Sequence, residues 1–115
     1  MQHNELLAEL IADTREYLDE IESALVSLAN QLDQPEEVQQ LLHFIFRKFH
    51  TIKGTCGFFN LPVVVRVTHE IETLMDILRN DAGALTAAHQ SMLMDGRDFL
   101  ARLMDLVDAK GNDTD

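Results

Sequence analysis

The chain has 115 residues, of which 46% are hydrophobic and 25% are charged, proportions ordinary for one globular domain. Its formal net charge of −11 argues against nucleic acid and against an anionic membrane surface as partners, because both bind clustered Lys and Arg. A single cysteine, Cys56, excludes an internal disulfide framework, and no signal-peptide pattern is present. No apolar run approaches the roughly 20 residues that span a bilayer. We therefore expect a cytoplasmic protein.

Apolar residues recur at spacings of three and four along four segments, which predicts four amphipathic helices. The predicted helices cover residues 4–31, 35–59, 62–80 and 85–108. Pro35 and Pro62 stand where a helix can begin, and Asn60 suits a left-handed position at the end of the second helix. The valine run 63–65 could form a strand, but the residues after it keep helical spacing. Leu61 is a poor helix cap, and nothing in the sequence compensates for it.

Each predicted helix has one apolar face. The first helix presents Leu7, Leu10, Ile11, Tyr17, Leu18, Ile21, Leu25, Leu28 and Leu32, with a break at Thr14. The second presents Leu42, Ile45, Phe46, Phe49, Ile52 and Cys56. The third presents Val64, Val67, Ile71, Leu74, Met75 and Leu78, and the fourth Leu85, Met92, Leu93, Phe99, Leu100, Leu103, Leu106 and Val107.

Four such helices joined by short turns pack most simply as an all-α, antiparallel up-down-up-down four-helix bundle. Residues 80–83 form the turn before the fourth helix, with a glycine at its end. We expect one domain over residues 1–110, followed at 111–115 by a polar tail or the start of a linker.

His50 has the most distinctive neighbours of the five histidines. It falls on a flank of the second helix beside the apolar stripe, and Lys53, Gly54 and Gly57 share its face. Each glycine in a helix costs about 1 kcal/mol relative to Ala, so two beside one His suggest that a large partner needs room there. A nearby ammonium group would attract an anion. This is the outline of a phosphohistidine site, although a lone helical His is more often packed or solvated.

His69 and Glu72 share one face of the third helix. Counted from Leu61, His50 lies eleven residues before the turn, and His69 and Glu72 lie eight and eleven residues after it. If the two helices are antiparallel neighbours, these side chains are therefore at matching heights. Glu72 could accept a hydrogen bond from Nδ1–H of His50 and leave Nε2 free to attack phosphorus. The alternative is that Glu72 is a solvated surface acid.

Two other function classes fit a helical bundle. A di-iron bundle needs two Glu-x-x-His pairs and further carboxylates, whereas this chain has one His-x-x-Glu in the reverse order. Nucleophilic triads, phosphate-binding loops and zinc cysteine pairs are absent from the sequence. A helical interaction module is the second alternative, with Phe44 and Phe58 as its anchors because both lie off the main stripe.

The segment HTIKGTCGFF, residues 50–59, resembles the signature of histidine-containing phosphotransfer (Hpt) domains, in which His-x-x-Lys-Gly opens the motif. The segments ELLAELIADTREYLDEIE, FRKFHTIKGTCGFF and THEIETLMDILR together are similar to the first domain of the CheA-type chemotaxis histidine kinase. The similarity covers nearly the whole chain. Asn60 departs from the pattern, since Gly is common there, but Asn tolerates the left-handed conformation.

The resemblance implies a phosphoryl carrier that does not catalyse on its own. His50 would take the phosphoryl group from an ATP-bound kinase domain and pass it to an aspartate of a response regulator. Lys53 and His69 would belong to the polar network around the imidazole, and Glu72 would hold Nδ1. No cofactor would bind to this domain, because the partner domains would supply ATP and magnesium.

The surface around His50 would meet those partners. Arg47 and Lys48, with Lys53, would offset the charge of the phosphoryl group. Gly54 and Gly57 would let partner loops reach the imidazole. CheA-type domains often continue into a further helix and a linker, so the chain is either part of a larger kinase or a free-standing phosphotransfer protein. We favour the larger kinase.

Overall fold

A computed structural model describes residues 3–80 and 85–114 as four helices, with no strand among them. In chain order these are α1 (His3–Ala29), α2 (Pro35–Phe58), α3 (Pro62–Asn80) and α4 (Ala87–Lys110). The predicted boundaries differ from these by at most two residues, and the valine run is helical. The predicted turn at 80–83 lies outside the described residues, apart from Asn80 at the end of α3.

The helices form the predicted all-α four-helix bundle, elongated to 47 × 20 × 18 Å. α2 packs against α1 and α3, and α4 packs against α1 and α3, so every helix has two neighbours. Their apolar faces meet in one core, whose largest fully buried members include Phe49, Ile21, Leu42, Met75 and Leu93. No helix in the described ranges combines the length and the apolar character needed to cross a membrane.

Three residues predicted to face inward lie at the surface instead. Met92 is 55% exposed and Phe99 is 40% exposed. They are seven residues apart, so they share a flank of α4 that lies beyond the buried stripe. Leu32 is also exposed, because α1 ends at Ala29 and the helical spacing no longer directs its side chain to the core.

Thr14, the break in the apolar stripe of α1, is fully buried. Its side chain offers a hydrogen bond to the thiol of Cys56 on α2, which lowers the pKa of that thiol. Burial, opposed by that hydrogen bond and assisted by the charge of Asp113, raises the pKa of the Cys56 thiol to about 11. Cys56 is therefore a protonated packing residue, since the thiolate is the reactive form.

The connection from α2 to α3 is a tight, hydrogen-bonded corner. Asn60 has φ of 57°, as the sequence predicted for a left-handed helix terminator. The Leu61 amide donates to the carbonyl of Cys56 at 3.0 Å, and the Asn60 amide donates to the carbonyl of Gly57 at 3.1 Å. These two bonds are the Schellman pattern, which satisfies carbonyls that the end of a helix leaves without partners. Leu61 is buried, so it anchors the corner to the core.

The start of α3 has a cap that comes from the other end of the chain. After α4 the backbone turns at Gly111, which has φ of 81°, and the chain runs back towards α3. The Asp113 carboxylate accepts a 2.8 Å hydrogen bond from the backbone amide of Val64, in the first turn of α3. Asp113 is buried, so the predicted polar tail contributes a packed residue to the bundle. Its charge also suits the positive end of the helix dipole. This compensates for the poor local cap at Leu61.

We expect Asp113→Ala to lower the free energy of unfolding by about 0.5–2 kcal/mol, the range for losing an N-cap acceptor. Urea denaturation followed by circular dichroism measures it. Asp19→Ala is the matched control, because Asp19 is an exposed acid in the middle of α1. That variant should be unchanged or slightly more stable, since Ala favours helix. Equal stability of the two variants would show that the hydrogen bond to Val64 contributes nothing.

Candidate functional site

His50 stands out from the surface of α2 between buried neighbours. Phe49 and Ile52 point into the core, and the helical rotation between them carries His50 to the flank that faces α3. Its side chain is 64% exposed. The imidazole is therefore accessible to a large partner, as the sequence predicted.

Glu72 of α3 joins His50 to Lys53. One carboxylate oxygen, Oε2, lies 3.3 Å from Nδ1 of His50 and accepts a 3.1 Å hydrogen bond from Nζ of Lys53. The Glu72 side chain is only 10% exposed, so it is not the solvated surface acid of the alternative interpretation. The matching heights counted from the α2–α3 turn are confirmed.

The second oxygen of Glu72, Oε1, is buried and makes no hydrogen bond with the described residues. Burying a carboxylate costs desolvation free energy, which the contacts of Oε2 with His50 and Lys53 must offset. With Nδ1–H donating to Oε2, the imidazole keeps a lone pair on Nε2.

The two predicted glycines leave open space beside His50. A methyl group built on Gly54 would meet nothing within 4 Å, and one on Gly57 would meet only Cγ2 of Val65, at 3.6 Å. A groove of about 840 Å³ lies next to them between α2 and α3. Its lining is apolar at the base, with basic groups at the rim, and includes Leu61, Pro62, Val65, Arg66 and His69.

His69 lines this groove and is exposed. Its imidazole makes no hydrogen bond with the part of the chain that the structure describes, so the network at Glu72 consists of His50 and Lys53. Arg66 was not predicted. Arg66 precedes His69 by three residues on α3. The spacing of three that places His69 and Glu72 on one face also places Arg66 on that face.

The two basic residues before His50, which were both predicted to face a partner, have different surroundings. Arg47 is exposed, and its backbone carbonyl accepts a hydrogen bond from Oγ1 of Thr51. Lys48 lies on the α1 side of α2, where its Nζ is 2.8 Å from a carboxylate oxygen of Glu20 and 4.9 Å from the ring centre of Tyr17. Two residues of helix correspond to a rotation of about 200°, so the side chains of Lys48 and His50 project from opposite sides of α2.

Phe46, one turn before His50, was expected only to fill the core, but it also contacts the site. Its ring and the imidazole are nearly parallel, at 8°, with centroids 6.3 Å apart. The guanidinium of Arg79, from α3, lies 3.9 Å from the centre of the Phe46 ring. Sequence reasoning could not find Arg79, since its contact depends on how two helices pack.

Within the described residues, no group of three or more His, Cys, Asp or Glu side chains is arranged to hold a metal ion. The arrangement at His50 therefore offers one accessible nucleophilic nitrogen, one buried carboxylate and one ammonium group. Its chemistry is that of an oriented imidazole.

The model of the Hpt domain family matches residues 5–110. The chain belongs to the Hpt domain family. The sensor histidine kinase CheAY of Helicobacter pylori is 27% identical over 110 residues, which are 96% of this chain and 13% of that protein. The chemotaxis protein CheA of Rhizobium meliloti is 35% identical over 81 residues, 70% of this chain and 10% of that protein.

The Hpt fold is matched in a solved structure. The CheA phosphotransferase domain from Thermotoga maritima superposes with a TM-score of 0.80 and 26% sequence identity, covering 93% of this chain and 98% of that one. The chain spans only about an eighth or less of the two relatives above. This Hpt domain is thus related to CheA phosphotransfer domains, in keeping with histidine phosphotransfer in chemotaxis two-component signalling.

We expect Glu72→Ala to change the tautomer of His50. In the wild type the carboxylate favours the Nδ1–H form of the neutral ring, whereas a free imidazole prefers Nε2–H. Long-range ¹H–¹⁵N correlation spectra at alkaline pH, where histidine is neutral, distinguish the two forms. Glu70→Ala, an exposed acid two residues away on α3, is the control and should keep the wild-type tautomer. An unchanged tautomer in Glu72→Ala would contradict the assigned hydrogen bond.

Proposed function

We propose that His50 is the phosphoacceptor of this Hpt domain. The observation that supports it is the pairing of Nδ1 with the buried Glu72 carboxylate on an imidazole that is otherwise exposed. In the first step Nε2 attacks the γ-phosphorus of ATP, an N–P bond forms, and ADP leaves. In the second step a carboxylate oxygen of an aspartate attacks the same phosphorus, and the N–P bond breaks.

Neither step requires His50 to lose a proton. Nδ1–H stays in place while the ring gains positive charge on phosphorylation, and it becomes neutral again when the phosphoryl group departs. Glu72 stabilises that charge through the Nδ1 hydrogen bond, as a carboxylate does for a catalytic imidazole in other enzymes. Phosphoryl transfer itself depends mostly on positioning and on neutralising charge, so an oriented ring is what the carrier must supply.

Lys53 supplies the nearest positive charge. Its ammonium group hydrogen-bonds the same Glu72 oxygen that contacts His50, so it can help to offset the charge of a phosphoryl group on the ring. Arg47, together with Arg66 in the lining of the groove, extends this charge over a protein whose net charge is −11. Lys48 is not part of the proposed surface, because it is paired with Glu20.

The partners in this proposal are two protein domains. The ATP-binding domain of a histidine kinase supplies ATP and magnesium, and the receiver domain of a response regulator supplies the aspartate. In-line attack requires each of them to place a phosphorus or carboxylate directly over Nε2. We place the exchange in the cytoplasm, as part of a larger chemotaxis-type kinase, and neither nucleic acid nor membrane insertion has a role in it.

We expect radiolabel from ATP to appear on the wild type when a chemotaxis-type kinase lacking its own phosphoacceptor domain is added. The label should be acid-labile and base-stable, as a phosphoramidate is. His50→Gln should carry none. His43→Gln is the matched control and should be labelled normally, because His43 is an exposed histidine two turns earlier on the same helix.

The alternative function is a helical interaction module, and one observation favours it. Phe58 is 82% exposed beside the groove, whereas Phe44, the other predicted anchor, is half-buried with Lys48 over its ring. An interaction module would keep its partner binding in His50→Gln. Absence of label on a folded wild-type domain, after several kinases have been tried, would favour this alternative.

We expect Gly57→Leu to fold but to block phosphoryl transfer. A Cβ atom at Gly57 makes only an ordinary contact with Val65, and Leu favours helix, while its larger side chain would project into the approach to His50. Gly57→Ala is the control and should transfer at close to the wild-type rate. Thermal melts establish folding, and labelling time courses measure the rates. Wild-type rates in Gly57→Leu would show that partners do not approach across this glycine.

A further inference from the structure

Glu72 fixes only part of the orientation of His50. Its hydrogen bond restrains one atom, Nδ1, at 3.3 Å, and the side chain is otherwise largely in solvent. The imidazole could still tilt about that contact. The lone pair of Nε2 lies in the plane of the ring, so the tilt of the plane sets the direction of attack on phosphorus.

The Phe46 ring is placed to restrain this plane. The two rings are parallel within 8° and their centroids are 6.3 Å apart, within the distance range of favourable aromatic pairs. Phe46 and His50 are four residues apart on α2, so they are neighbours on one face. Phe46 is half-buried, which limits its own movement.

Arg79 restrains Phe46 from across the helix interface. Its guanidinium covers the Phe46 ring at 3.9 Å from the centroid, and its Nη2 is 2.8 Å from a carboxylate oxygen of Asp76. The backbone carbonyl of Arg79 accepts a 3.1 Å hydrogen bond from the side-chain amide of Gln39. The guanidinium therefore contacts Phe46 of α2 and Asp76 of α3, and the backbone of Arg79 is also bonded to α2.

We propose that Phe46, held by Arg79, is a positioning residue that sets the plane of the His50 imidazole for phosphoryl transfer. The inference rests on the proposed function of His50. Arg79 acts on His50 through Phe46, because its guanidinium holds the Phe46 ring by a cation–π contact. The site then has two restraints of different kinds: a hydrogen bond that selects the tautomer and a stacked ring that sets the plane.

Phe46→Leu and Arg79→Met test the proposal. Leu keeps an apolar side chain but removes the flat ring, and Met keeps the length of Arg without the cation. The molecule offers a matched control pair on α4, where the Arg102 guanidinium lies 5.7 Å from the ring centre of Phe99. Phe99→Leu and Arg102→Met make the same chemical changes on a helix that does not carry the site.

The first measurement is ¹³C relaxation of the His50 ring, which needs no kinase. Both site variants should show a more mobile ring with the Nδ1–H tautomer retained, because Glu72 is untouched. The second is the rate of phosphorylation at saturating kinase. It should fall roughly 3- to 10-fold, since small misalignments of a reacting group slow transfer, with little change in the kinase concentration giving half the maximal rate. The two control variants should match the wild type in both.

The outcomes separate this inference from the proposed function. Unlabelled wild type would overturn the role of His50 itself. Labelled wild type, with unchanged ring mobility and rate in Arg79→Met and Phe46→Leu, would overturn the positioning role alone. If Phe46→Leu does not fold, Arg79→Met decides the question, because it removes no ring from the half-buried position. A loss of rate with wild-type ring mobility would also count against positioning.

Discussion

The carboxylate of Glu72, nearly buried between α2 and α3, is the interaction on which the site depends. It holds Nδ1 of His50 and Nζ of Lys53 through the same oxygen, and its other oxygen has no hydrogen-bond partner among the described residues. A buried charge of this kind adds little net stability, because desolvation offsets the attraction to its partners. The bundle can tolerate it because its stability comes from the apolar core. Glu72 thus orients His50 and Lys53 while the rest of the fold supplies the stability.

The register between α2 and α3 is what brings Glu72 to His50. A shift of one residue along α3 would rotate the carboxylate by about 100° and remove it from the imidazole. The corner between the helices sets that register through the left-handed Asn60 and the buried Leu61. Asp113 then caps α3 at Val64 from the far end of the chain. The geometry around His50 therefore depends on contacts well away from it.

Helical spacing explains why so much of this arrangement could be predicted. The apolar stripes defined four helices, and counting from the turn placed His50 and Glu72 at one height, because helix rise and antiparallel packing are regular. The same regularity places Lys48 opposite His50 on α2, because each residue rotates the helix by about 100°, so its predicted position beside His50 was wrong. Met92 and Phe99 were misplaced because an apolar side chain on the flank of a stripe can lie on either side of the core boundary.

Other contacts could not be predicted from spacing. Asp113 meets Val64 across 49 residues, and Arg79 covers Phe46 from another helix. The first contact depends on where the chain runs after α4, and the second depends on the direction that the long Arg79 side chain takes from α3. Neither leaves a periodic signal in the sequence. The site was therefore found through its helical pairs, while the residues that hold those pairs in place required the structure.

A phosphoryl carrier faces a constraint that an enclosed active site does not. Its nucleophile must be oriented, yet it must remain open to two different partners in turn. In this Hpt domain the restraints contact His50 from the α2–α3 side, through Glu72 and Phe46, and Gly54 and Gly57 leave the approach clear. An enclosing pocket would orient the ring as well but would exclude the partners. Contacts on one side of the ring can orient His50 and still leave its other side open to partners. The nearly buried carboxylate of Glu72 makes such a contact.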